Sequence, residues 1–226
     1  MKYLTLLIAV VSVSLPVISQ RSGLSDKYGF RMKMLCAFMY LLTGTLAALS
    51  FGTVTAYSLL ILGALISGFL GDFFLEYKSK KLFPLGAVFF ALGHIAYSYT
   101  FLCLDAQSLA SDIIAVAVIT LILSVFVLIF AKTKLELKGK KNLLLIYAPV
   151  LIFAFACALV KSITAIAAGN LAFGICLISG GSLFLASDIM IGLGKGGFQR
   201  PQFLRNAVSY TYFAAQTLFA LSILFQ

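Results

Sequence analysis

Residues 63–81 read GALISGFLGDFFLEYKSKK. An apolar run carries Asp72 well inside it, Glu76 follows one helical turn later, and Lys78, Lys80 and Lys81 close the stretch. A charged side chain at the centre of a bilayer helix costs about 2.5–3.5 kcal/mol on insertion scales, so such residues usually face the protein interior and serve a function. The stretch therefore predicts a membrane-spanning helix with a carboxylate turned inward.

The rest of the chain agrees. Of its 226 residues 62% are hydrophobic and 11% charged, with a mean hydropathy of +1.09, whereas soluble domains carry about 25% charged residues. The expected fold class is all-α, a polytopic integral membrane protein forming a single transmembrane domain over residues 1–226. A transmembrane barrel is excluded because its strands alternate apolar and polar residues, and these runs are continuous. Eight stretches approach the ~20 apolar residues a spanning helix needs: roughly 3–20, 32–50, 56–77, 82–104, 112–131, 142–160, 164–191 and 204–225.

The formal charge of +10 does not point to nucleic acid, because the basic residues lie between apolar runs, as membrane-flanking residues do. All 17 except Lys2 and Lys161 fall in alternate connections. The positive-inside rule then puts those connections in the cytoplasm and both termini on the opposite face, in the cytoplasmic membrane if the protein is bacterial. The first segment, MKYLTLLIAVVSVSLPVISQ, imitates a secretory signal peptide. Cleavage after it would conflict with the charge bias of the remaining loops, so it is taken as a span. The four cysteines lie in apolar stretches with no CxxC and are expected to be packing residues.

A faint internal repeat joins GALISGFLGD (63–72) to SGGSLFLASD (179–188). Each ends on Asp, meets a basic connection and precedes an aromatic-rich helix. The two helices would run in the same direction, with Asp72 and Asp188 at similar depth, Asp72 about 7 Å from the span's end. Two carboxylates so placed could converge on one site. Glu76 shares the face of Asp72 at i+4. The fourth span carries the single histidine in FFALGHIAYSY, with His94 and Tyr97 at i and i+3. The last carries NAVSYTYFAAQ, with Tyr212 and Gln216 at i and i+4. Against these stands a plainer reading, in which His94 and Gln216 only hydrogen-bond between helices and the tyrosines only pack.

Other motifs fail. SGFLGD is not the GxGD of intramembrane aspartyl proteases. GLGKGG (192–197) has no strand before it and no Ser or Thr after its Lys, so it is no phosphate-binding loop. One histidine excludes a His-rich zinc site, and no GxSxG is present.

The ordered set Gly71-Asp72, Leu75, Phe83, Gly86, Phe90, His94 and Tyr97, then Gly181, Phe184 and Ser187-Asp188, then Thr211-Tyr212 and Ala215-Gln216 resembles the YhhN family of membrane proteins, whose animal relatives are lysoplasmalogenases. The resemblance runs from the second span onward. It implies a metal-independent hydrolase, without cofactor, that cleaves the vinyl ether bond of a lysophospholipid substrate to a fatty aldehyde and a glycerophospho-ethanolamine or -choline. The family's two aspartates fall on Asp72 and Asp188. Vinyl ethers resist bases and nucleophiles but hydrolyse once the β-carbon is protonated, a step suited to one carboxylic acid and one carboxylate, as in glycosidases. His94, Tyr97, Tyr212, Gln216 and Glu76 are the expected substrate-binding residues, and Lys78, Lys80 and Lys81 would attract the phosphate. The competing classes are a proton-coupled transporter using the same aspartates and a lipid-binding or scaffolding protein without catalysis.

Overall fold

The computed structural model describes residues 1–50, 52–76, 82–104, 109–134, 141–195 and 201–226. Eight α-helices account for nearly all of them: α1 Lys2–Arg21, α2 Leu24–Leu49, α3 Ala56–Glu76, α4 Phe83–Cys103, α5 Leu109–Lys134, α6 Lys141–Ala167, α7 Leu171–Lys195 and α8 Gln202–Ser222. The first seven are long and apolar enough to cross a membrane. The chain is therefore an integral, all-helical membrane protein.

The eighth helix does not reach the same apolarity, and its packing explains why. Thr217 is buried against Ser12 of α1, with their hydroxyls 2.8 Å apart, and Ser222 against Tyr57 of α3, at 2.7 Å. A helix whose polar side chains are satisfied by neighbouring helices can lie in the bundle without a uniformly apolar surface. Its Cys-free polar face looks inward at both ends: Tyr212 lies at the level of Asp72 near the end of α3, and Ser222 at the level of Tyr57 near its start. The helix thus runs antiparallel to the membrane-spanning α3 along most of that helix's length.

Two expected boundaries move. Residues 21–31 read as a connection, but the helix resumes at Leu24 and bends at Gly29, where φ is 25° and ψ −96°. Only glycine adopts that conformation readily, so the kink divides a short leading segment from the main helix. The break anticipated between 160 and 164 lies instead at 168–170. Lys161 belongs to α6, and its Nζ reaches across to the end of α4, where it donates to the carbonyl of Leu104 at 2.8 Å. Gly169 (φ 88°) supplies the left-handed residue that stops α6, and the Asn170 side chain accepts the Phe173 N–H at 3.3 Å to cap α7. A lone Lys can extend its ammonium to the interface without ending a helix.

The ends of the bundle separate cleanly. Thr5 meets Ser50, Thr55 donates to Gln226 at 2.7 Å, Asn170 Nδ2 donates to the Phe225 carbonyl at 2.6 Å, and Lys161 reaches Leu104. Both termini and the Ser50, Leu104 and Asn170 regions therefore gather at one end, opposite the last turns of α1 and α3.

Two tight hairpins of like direction, α3–α4 and α7–α8, form the centre, with α2 against α3 and α8, and α6 against α7 and α4. Glycines let the backbones approach. A Cβ on Gly71 would sit 2.7 Å from the Phe90 ring, and one on Gly86 2.7 Å from Leu75. Close packing through small residues is how helices associate where no hydrophobic drive exists between protein and lipid. Outward-facing Leu59, Ile95, Leu121 and Phe126 are exposed, as a lipid-contacting surface requires. Helix α5 is the most peripheral and presents Ile113, Ile114, Val118, Leu121, Ile122 and Phe126 outward.

Candidate functional site

The polar residues singled out in the sequence are buried inside this bundle: Asp72, His94, Tyr97, Asp188, Tyr212 and Gln216 are each less than one-tenth exposed. Glu76, the last residue of α3, is more open, with 41% of its side chain exposed.

They form two groups. In the first, Lys33 of α2 places Nζ 3.2 Å from Asp72 Oδ1 and 3.4 Å from Glu76 Oε2. The i, i+4 spacing of the carboxylates on α3 lets one ammonium bridge both. Lys33 lies in the first turn after the Gly29 kink, so the bend delivers it to the depth of Asp72 on the antiparallel neighbour. Beyond Asp72 runs a fixed chain of polar groups. The Tyr97 hydroxyl donates to Gln216 Oε1 at 2.6 Å, and Gln216 Nε2 donates to the Tyr212 hydroxyl at 3.2 Å. The Tyr212 hydroxyl adjoins both the Asp72 carboxyl and the Tyr40 hydroxyl. No described residue forms a hydrogen bond with Asp72 Oδ2 or Tyr40 Oη, although both atoms are buried.

Gly68 makes this chain possible. A Cβ there would fall 2.7 Å from Gln216 Nε2, 3.3 Å from the Tyr212 hydroxyl and 3.4 Å from that of Tyr40. The absent side chain is the space those three polar groups occupy.

The second group pairs His94 of α4 with Asp188 of α7. Nε2 and Oδ2 are 3.8 Å apart, within ion-pair reach but longer than a hydrogen bond. Among the described residues no Cα of α4 comes within 8 Å of one in α7. The two helices therefore face each other through side chains: the Phe184 ring meets His94 edge-on with centroids 4.9 Å apart. Phe184 also meets Tyr212, at 5.6 Å. The rings of Phe184 and Tyr212 thus stand between the Asp188–His94 pair and the Asp72–Lys33 pair.

A cleft opens where α4 and α7 stand apart. His94 and Tyr97 line it together with Phe101, Phe155, Phe184 and Phe219; neither aspartate, nor Tyr212, nor Gln216, does so. The expected site residues are consequently brought into one region but not into one cavity. Lys78, Lys80 and Lys81 lie outside the described residues.

Lys33 and Tyr40 escaped the sequence reading. Lys33 was counted among the basic residues of the first connection, although it stands just inside the span drawn at 32–50. Its depth, matched to Asp72 on the next, antiparallel helix, was the available signal. Tyr40 carried no signal beyond an aromatic in a helix.

Among the described residues no cluster of His, Cys, Asp and Glu is arranged to hold a metal ion. The arrangement can do other chemistry. It holds a carboxylate beside an ammonium, a carboxylate and an imidazole 3.8 Å apart, and phenol and amide groups with set donor directions, all within a membrane-embedded aromatic shell. Fold and site together define a polytopic membrane protein with a charged intramembrane centre.

The chain belongs to the YhhN family, whose profile matches residues 30–223. The match begins just past the Gly29 kink and ends beside the last turn of α8, so it takes in every residue of both groups. Comparison with curated proteins gives no match, and none is found among solved structures.

Proposed function

We propose that this protein is a lysoplasmalogenase-like hydrolase that cleaves the vinyl ether bond of a lysophospholipid, with Asp188 and Asp72 as the acid and the anion. Membership of the YhhN family supports a hydrolase of this kind. The observation that carries this reading is that both carboxylates are buried inside the bundle beside ionisable side chains, Asp72 at Lys33 and Asp188 within reach of His94.

The reaction needs a proton on the vinyl β-carbon. Asp188, beside the His94 ring, delivers it as the carbon–carbon π pair forms the new C–H bond. The α-carbon and ether oxygen then share the positive charge of an oxocarbenium ion. Asp72, held as an anion against Lys33, stabilises that cation across the aromatic wall, and the Asp188 carboxylate left by the proton transfer orients water for attack. Water adds to the α-carbon and gives up a proton to a carboxylate. The resulting hemiacetal collapses to a fatty aldehyde and the glycerol hydroxyl of the headgroup fragment, so one water is consumed. Fixed charges and dipoles in a site shielded from bulk water act strongly on such a transition state. Tyr212, fixed by the Gln216 amide, directs its hydroxyl towards Asp72. Lys33 and Glu76 stand at the end of the bundle where the basic connections lie, which in this reading is the cytoplasmic headgroup level.

Purified protein in detergent should release aldehyde from a 1-alkenyl lysophospholipid and leave the saturated 1-alkyl ether intact, because only the vinyl ether yields an oxocarbenium ion on carbon protonation. Absence of aldehyde release, combined with substrate uptake that requires sealed vesicles, would establish a carrier instead.

A further inference from the structure

Tyr40 of α2 is fully buried, and the reaction scheme makes no use of its hydroxyl. Its ring meets that of Phe213 with centroids 6.3 Å apart, a contact that phenylalanine would make equally well. Burying a hydroxyl without a hydrogen bond is costly, and Tyr40 Oη is buried with none among the described residues. The groups around that oxygen give it a use.

Tyr40 follows Lys33 by seven residues, so α2 presents both on one face, about 10 Å apart along its axis. On the antiparallel α3, Asp72 meets Lys33 at 3.2 Å, and Gly68, one turn away, leaves room for Tyr40. The hydroxyls of Tyr40 and Tyr212 lie 3.4 Å and 3.3 Å from the point where a Gly68 Cβ would stand. The Tyr212 hydroxyl adjoins both Tyr40 and the Asp72 carboxyl. Asp72 Oδ1 faces Lys33, with Glu76 on the far side of that ammonium, while Oδ2 is buried and has no hydrogen bond among the described residues. Elimination places the protons. Gln216 commits Oε1 to the Tyr97 hydroxyl and points Nε2 at the Tyr212 oxygen, 3.2 Å away. Tyr212 therefore accepts from Gln216, and its own proton is left for Asp72 or Tyr40. An anion is the stronger acceptor, so that proton goes to Asp72, and the Tyr40 proton is left with the Tyr212 oxygen. Hydrogen bonds of this kind are often long until substrate is bound. We propose that Tyr40 is a positioning residue for Asp72: its hydroxyl donates to Tyr212 and so turns the Tyr212 O–H onto the carboxylate. The catalytic meaning of the arrangement rests on the hydrolase reading; the hydrogen-bond relay itself does not.

The sequence holds five aspartates, few enough to resolve by ¹³C NMR of purified protein labelled at the Asp carboxyl carbon, with Asp72→Asn identifying the Asp72 signal. Tyr212→Phe should displace that signal, and Tyr40→Phe should displace it the same way by a smaller amount. Adding Tyr40→Phe to Tyr212→Phe should change nothing more, because Tyr40 acts through Tyr212. Difluorotyrosine incorporated at position 40, nearly the same in shape but a stronger donor, should move the signal the opposite way, which a purely steric role would not do. In turnover, Tyr40→Phe should lower kcat for aldehyde release roughly tenfold, the worth of one hydrogen bond to a charged group, with KM held within about twofold. If Tyr212→Phe does not fold, Tyr40→Phe and the fluorinated residue decide alone. An Asp72 signal unmoved by Tyr40→Phe, or moved further when Tyr40→Phe is added to Tyr212→Phe, would overturn the proposal; so would an unchanged kcat. Displaced signals in a protein that releases no aldehyde would refute the hydrolase reading and leave the relay standing. Aldehyde release with an unmoved Asp72 signal would do the reverse.

Discussion

Asp72 and Lys33 face each other at 3.2 Å across the contact of α2 with α3, and their exposures are unequal: 3% of the aspartate side chain against 32% of the lysine. Removing one partner of a buried ion pair strands the other charge, at a cost of about 3–5 kcal/mol; because Lys33 reaches the interface, the lower part of that range is expected. Lys33→Met should therefore lower the thermal stability of the purified protein clearly. Asp72→Asn should cost far less, since Lys33 keeps Glu76 at 3.4 Å. Adding Asp72→Asn to Lys33→Met should restore most of the loss, with a coupling energy of at least about 1 kcal/mol. Additive single effects would show that the pair does not form.

The carboxylates also separate catalysis from architecture. Asp72→Asn and Asp188→Asn are nearly isosteric and should each reduce aldehyde release at least about a hundredfold, the lower end of what general acid catalysis supplies. The double variant should be little worse than either single one, because residues that act as a unit are not additive. Glu76→Gln, at the more open end, should cost much less. A well-folded Asn variant with near wild-type turnover would sink the two-carboxylate mechanism.

At the scale of elements, the α3–α8 contact depends on a side chain that is missing. A methyl at Gly68 would press on Gln216 Nε2 at 2.7 Å, and Gln216 cannot retreat without losing Tyr97 or Tyr212. Overpacking of this kind typically costs about 1–3 kcal/mol. Gly68→Ala should lower the unfolding temperature and disturb turnover together. Gly63, on the same helix, has nothing within 4 Å of the corresponding position. There Ala should be neutral or stabilising by up to about 1 kcal/mol, the helix-propensity difference. Equal effects at the two positions, measured by thermal unfolding in one detergent, would remove the steric account of the Gln216 cluster.

The bundle as a whole has two distinct ends. Both termini and the Ser50, Leu104 and Asn170 regions share one end, while Ser22 follows Arg21 at the end of α1, at the other. On the positive-inside rule we propose that the Ser22 end faces the cytoplasm. In a Cys103→Ser background, cysteine at Ser22 should react with an impermeant maleimide only after the membrane is opened, and cysteine at Asn170 before. The reverse pattern would invert the protein and move the carboxylates to the external headgroup level.

Sequence alone determined the membrane class, the helices, the inward turn of Asp72 and the alternation of basic connections, because each follows from hydropathy summed along a local segment and from the energetic penalty on a charge in lipid. It also picked out His94, Tyr97, Asp188, Tyr212 and Gln216, since a polar residue in an apolar run is conspicuous without knowledge of its partner. Only the tertiary structure decided who meets whom. Local pattern placed Lys33 in a connection, but the Gly29 kink and the antiparallel run of α2 and α3 make it the counter-ion of Asp72. Local pattern drew α8 as one more apolar span, but its polar face is satisfied by α1, α3 and α4, which hydropathy cannot register. And the two aspartates, alike in depth and direction along the chain, stand in separate company because Phe184 and Tyr212 fill the space between them, a matter of packing between helices far apart in sequence.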